Sequence, residues 1–134
     1  MGVGPNYVLD KGMKVSGSAA LVAGHFVKLT TNVQEIAPTS GITNVAFGVA
    51  MENVDATKVT TGKVFADVRV LGIARVEAAA AIAIGAKVAP EAAATGRAQT
   101  AVSTQFPAGI ALTAATQAGD YIDVLLTPGM PVLP

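Results

Sequence analysis

A chain of 134 residues has the size of one domain and can bury roughly two-thirds of its unfolded surface in a core of its own. Apolar residues make up 51% of it, yet aromatics are only 4% and Trp is absent, so that core rests on Val, Ile, Leu and Ala. Nine basic residues balance nine acidic ones without a run of either sign, which argues against nucleic acid and an anionic membrane as partners, and the absence of Cys removes disulfides, thiolate nucleophiles and cysteine metal sites together.

Residues 1–12 are expected to form an N-terminal arm, because Gly2, Gly4 and Pro5 give the chain no reason to join a regular element. They carry neither the basic start nor the apolar core of a signal peptide, so synthesis and use without secretion are expected. Tyr7, Val8 and Leu9 are the first apolar cluster and the candidate partner-binding residues; they can dock on a neighbouring subunit or cap the chain's own core. Asp10-Lys11-Gly12 then reads as a turn.

A single β domain is expected over residues 13–127. Short apolar runs at 26–29 and 45–51, bounded by Thr, Asn, Glu and Gly, are strand signals. The clearest strand covers 63–71, where Val64, Ala66, Val68 and Val70 alternate with Phe65, Asp67 and Arg69, placing the first set on a buried face. Alanine runs at 78–81 and 92–94 favour a helix by propensity alone. Both are too short to be stable alone, and the second reads as a hairpin loop turning at Thr95-Gly96, with a short helical turn as the alternative. A last strand at 121–127 precedes a tail, 128–134, in which Pro128, Pro131 and Pro134 cannot continue a ladder.

The chain also repeats itself. Gly24 and Val27 recur as Gly85 and Val88, and Gly48-Val49-Ala50 recurs as Gly109-Ile110-Ala111, both 61 positions on (85 − 24 and 109 − 48). At the same offset Lys14-Val15 and Ala19-Ala20-Leu21 meet Arg75-Val76 and Ala80-Ala81-Ile82. Further on, Gly62 and Gly72 match Gly119 and Gly129 at 57, whereas the alternation pairs Val68 with Val124 at 56; a one-residue bulge would reconcile the two. The expected fold is therefore all-β with little helix, a small barrel or sandwich built from two related halves at about 13–72 and 74–129.

No reactive constellation emerges. His25 is the only imidazole, and Ala86 takes its place in the second half, so an ordinary surface or half-buried histidine is expected rather than a base. One His without Cys does not make a zinc site, and Glu52 with Asp55, or Asp120 with Asp123, lacks the alternating ligands of a calcium loop. Gly62-Lys63 lacks the earlier glycine and the hydroxyl of a phosphate loop. Nine acids leave a paired-carboxylate glycosidase open, but six aromatic residues offer few sugar platforms. No catalytic residue, metal or cofactor is expected.

The order of these motifs, from Tyr7 to Gly12, Ala23-Gly24, Phe47-Gly48-Val49-Ala50, Gly62-Lys63-Val64 and Leu71-Gly72-Ile73 through Ile84-Gly85, Ala108-Gly109-Ile110-Ala111 and Ile122-x-Val124-x-Leu126, resembles the capsid cement, or head decoration, proteins of tailed bacteriophages. The alanine-rich middle and the Gly4-Pro5 leader depart from that pattern. The resemblance implies a non-enzymatic β-rich protein on the outside of the virion, made in the host cytoplasm, with the major capsid protein as partner. It also implies a homo-oligomer, a trimer, that bridges capsid subunits and stabilises the head. The alternative is a glycan- or host-binding module displayed on a particle, for which Tyr121 and Phe65 would be the aromatic platforms.

Overall fold

The computed structural model describes residues 8–16, 20–41, 44–59, 64–93, 95–127 and 131–134. Among them are nine strands: β1 (Leu9–Val15), β2 (Phe26–Leu29), β3 (Glu35–Pro38), β4 (Gly48–Ala50), β5 (Phe65–Glu77), β6 (Lys87–Pro90), β7 (Ala98–Thr100), β8 (Gly109–Ala111) and β9 (Tyr121–Leu126). The one helix among the described residues, α1 (Ala56–Val59), is a single turn before β5. The protein is nearly all β, as the alternation in its sequence demands.

Sheet pairing answers how the two halves are built. The strands run β1-β3-β2-β4-β5, and β5 also pairs with β1, so these five close into a barrel. From the other side of β5 the order continues β9-β8-β6-β7, and a parallel bridge between Ala78 and Ala98 brings β7 back to the end of β5. Two five-strand rings therefore share one long strand. Residues 65–71 of β5 serve the first ring and 72–77 the second, with Gly72 between them at a φ of 106°, a conformation that a side chain would strain.

The duplication is visible bond by bond. Gly24 N–H donates to Ala50 O and Gly85 N–H to Ala111 O, while the isolated bridge Leu21–Val54 recurs as Ile82–Ala115. Met51 N–H donates to Asp67 O as Leu112 N–H does to Asp123 O, which pairs β5 with β9 at an offset of 56 (123 − 67). The alternation was therefore the better guide than the glycines. No bulge interrupts the pairing of β9 with either neighbour, and the register shift that does occur lies between Leu9 and Asp10, opposite β5. Gly62 and Gly129, which suggested 57, lie outside the described residues, as do Ala19, Lys63, Ala94, Pro128 and the arm through Tyr7.

Further expectations change. Asp10-Lys11-Gly12 is not a turn but the middle of β1, where Asp10 faces Arg69 and Gly12 faces Asp67. Because β1 begins at Leu9, the ladder starts inside the stretch expected as an arm. Lys14-Val15 matches Glu77-Ala78, not Arg75-Val76: Lys14 and Glu77 are the residues opposite Phe65 and Tyr121, an offset of 63 (77 − 14). A shift of two keeps every side chain on its face, so composition hid it. The strand at 45–51 is shorter, at Gly48–Ala50, and the one at 63–71 runs on to Glu77.

Each ring has its own core. Met13, Val15, Leu21, Val27, Ile36, Ala66 and Val68 fill the first, and Ala74, Val76, Ile82, Val88, Ile122 and Val124 the second. Phe26 and Val49 are the exceptions that join the rings. They stand on β2 and β4 of the first barrel but pack, fully buried, with the core of the second. Their equivalents in the second barrel are Lys87, which is exposed, and Ile110, which is half-buried.

Candidate functional site

The densest polar cluster that links the barrels forms where the β6–β7 hairpin reaches back to the first one. Gly24, at a φ of 83°, turns the chain into β2 and presents His25. The ring Nδ1–H donates to Thr95 O at 2.6 Å, and Nε2 meets Glu77 Oε2 at 2.5 Å. The ring is thus held between a carbonyl on one side and a carboxylate on the other. The side chains of His25 and Glu77 are mostly covered, so this contact is an internal tie and not a surface ion pair.

The hairpin that supplies Thr95 is itself held by charge. Thr95 Oγ1 donates to Glu91, Arg97 Nε donates to the same carboxylate at 2.8 Å, and Arg97 N–H reaches Thr95 Oγ1 at 3.2 Å. Glu91 raises the Arg97 pKa above its ordinary value by hydrogen bonding and by charge. At the tip, Gly96 O accepts from Phe26 N–H at 2.7 Å, and a Cβ on Gly96 would lie 2.7 Å from Phe26 O, so backbone meets backbone with no room for a side chain. The corresponding first hairpin stays at home: Lys14 N–H donates to Gln34 O, and Glu35 accepts from Thr30 Oγ1 and Asn32 Nδ2.

Beside this junction lies an apolar groove of about 400 Å³ lined by Leu21, Val22, His25, Phe26, Pro38 and Thr95. A shallower hollow of about 240 Å³ lies between Gly24, Met51, Arg75 and Tyr121. Neither converges reactive groups. Both His25 nitrogens are engaged, and the Thr95 hydroxyl is spent on Glu91, so the arrangement fastens two barrels and does not poise a base beside a nucleophile.

The other sequence candidates fall in separate places. Asp120 Oδ2 accepts from Thr116 N–H, Thr116 Oγ1 and Gln117 N–H, which makes it the clasp of its own loop and lowers its pKa. Glu52 accepts from Asp67 N–H. Val8 and Leu9 are half exposed at the start of β1, with Leu9 opposite Leu71. Tyr7, the third candidate partner residue, lies outside the described residues. Phe65 and Tyr121 are both exposed, but Phe65 opens β5 while Tyr121 pairs with Glu77 at its far end. Twelve strand steps, about 40 Å, keep them from forming one sugar platform.

With the double ring in view, the comparison with solved structures is direct. The chain is similar to the N base of head fiber gp8.5 in bacteriophage phi29. That crystal structure matches with a TM-score of 0.65 at 15% sequence identity, over 90% of this chain and 95% of the other. At such identity the likeness is one of fold. No family model matches the sequence, and no curated protein matches it.

Sequence reasoning undervalued His25 and missed Glu77, Glu91, Thr95 and Arg97 as a group. The signal was present as a pair of departures from the repeat. Ala86 stands where the first half has His25, and Lys14 stands where the second half has Glu77. Such mismatches mark where two copies must differ because one binds the other.

Proposed function

We propose that this chain is a non-enzymatic structural protein of a phage virion, carried on the outside of the head. There it stabilises the shell by bridging major capsid subunits, as a homo-oligomer and most simply a trimer. The observation that carries this reading is the fold shared with the phi29 head fiber base over nearly the whole of both chains. The site geometry agrees, because its most elaborate polar contacts hold the two barrels and their loops together. Two barrels joined through one strand, with little charge to desolvate, suit broad contact with protein.

Val8 and Leu9, half exposed at one end of β1, are the proposed contact with the shell. The test is to add the purified protein to expanded heads lacking it, then follow co-sedimentation and the temperature at which DNA escapes. Saturable binding and a higher release temperature are the expected results. Heads that neither bind the protein nor change their release temperature at saturating concentration would overturn the reading.

A further inference from the structure

The internal contact between the barrels has two halves, and each half exists a second time without its partner. Within the chain, Tyr121 of the second barrel lays its ring on Gly24 of the first: a Cβ on Gly24 would lie 3.3 Å from Tyr121 Cε1 and 3.3 Å from Arg75 O. The first barrel's equivalent of Tyr121 is Phe65, since the two face Glu77 and Lys14 at matching positions. The second barrel's equivalent of Gly24 is Gly85, at a φ of 80° against 83°.

Among the described residues both are vacant as contacts. A Cβ built on Gly85 meets no other described residue within 4 Å. Phe65 is 63% exposed, and it has no polar atom with which to satisfy water. Beside Gly85 stand exposed apolar side chains, with the exposed Lys87 at their edge: Ile84 is 70% exposed, Leu112 is 40% exposed, and Ile110, paired with Lys87, is half-buried where the first barrel has Val49 fully buried against its neighbour. An exposed aromatic and an exposed aliphatic face that repeat the two halves of an internal contact are complementary surfaces of the kind a protein partner covers.

We infer that a second copy of this chain covers the patch, with Phe65 of one copy seated on the Ile84-Gly85-Leu112 face of the next. The contact repeats between molecules the one that Tyr121 and Gly24 make within each. Side chains carry it, because the Lys14 amide is already bonded to Gln34 O, whereas its equivalent, the Glu77 amide, is free to bond Gly24 O across the barrels. The two surfaces belong to different barrels, so the interface is head-to-tail, the type that makes a ring when its rotation closes and a filament when it does not. The inference does not depend on what the oligomer binds.

Sedimentation velocity on the full chain tests it with Phe65→Glu and Ile84→Glu, each alone and in a 1:1 mixture. Circular dichroism and melting verify that both exposed substitutions leave the fold intact. The expected result is an oligomer for the wild type and association weakened by about tenfold or more in each variant, as for loss of a buried apolar anchor. The mixture forms a dimer that grows no further, because the intact patch of one variant accepts the intact Phe65 of the other. A monomeric wild type, an oligomer indifferent to either substitution, or a mixture that stays monomeric would overturn the inference. So would a folded wild type that uses this face only to bind heads.

Discussion

Thr39 follows β3, fully buried, and its hydroxyl has no partner among the described residues. A buried hydroxyl without a hydrogen bond keeps its desolvation cost and gives nothing back, so Thr39→Val should stabilise the protein by about 1 kcal/mol, read as a rise in the denaturant midpoint. Gln105 is the opposite case. It is equally buried, but its Oε1 accepts from Gln99 Nε2 and Val102 N–H while its Nε2 reaches Pro90 O, so a substitution there would strand several groups. Charged residues obey the same accounting of partners through pH. Hydrogen bonds from Asn32 and Thr30 hold Glu35 below its ordinary 4.5, the Arg69 guanidinium holds Asp10 below 3.8, and the Thr116 amide and hydroxyl do so for Asp120. All three folded pKa values are lowered, so the unfolded chain takes up protons first. Their stabilisation is complete above the ordinary carboxylate values and is lost as pH falls through the lower folded ones. The melting temperature should therefore drop as pH goes below about 4, and Glu35→Gln should flatten that drop. An acid limb unchanged by Glu35→Gln would show that Glu35 is not part of it.

At the scale of strands, the repeat makes a paired prediction. A Cβ on Gly48 would lie 2.4 Å from Arg69 O, and one on Gly109 would lie 2.4 Å from Leu125 O, because β4 and β8 cross their neighbours at the same close approach. Backbone cannot step aside as a side chain tip can. Gly48→Ala and Gly109→Ala should each cost about 3 kcal/mol and by similar amounts, measured by denaturant unfolding. Unequal costs would mean that the halves are packed differently despite their shared bonds. The same two glycines show what the sequence revealed and why. Glycine spacing survives duplication because close approach admits no substitute, so the two halves could be recognised from it, while β2 and β4 showed as short apolar runs. Alternation placed β5 and β9 for the same reason, since a buried face tolerates no charge. β1 was hidden because Asp10-Lys11-Gly12 has turn composition, and only the ladder to β5, with Arg69 Nε on Asp10 at 2.8 Å, makes it extended. The junction was hidden more deeply. His25, Glu77 and Thr95 are 52 and 70 positions apart along the chain, so no local pattern could bring them together.

Across the whole molecule, the question is whether two rings behave as one body. β5 contributes an uninterrupted 13 residues to both, so neither ring can open without releasing a wall of the other. Phe26 and Val49 add buried contact across the seam, and the His25 tie pins the second hairpin to the first barrel. A covalently continuous wall should dominate over a side-chain tie in setting cooperativity. Calorimetry is expected to show one transition with equal van't Hoff and calorimetric enthalpies, near 90 kcal/mol for a chain of this length at roughly 0.7 kcal/mol per residue. His25→Ala removes hydrogen bonds to a charged group and to a carbonyl, so it should lower stability by about 2 kcal/mol while leaving the single transition intact. Two resolved transitions in the wild type would mean that the barrels fold separately and that β5 is only a tether. Two transitions appearing only in His25→Ala would assign the coupling to the tie and not to the strand. In the proposed role the first arrangement is the favourable one, because force on one barrel then reaches the other through backbone, which yields less readily than a single imidazole and its two partners.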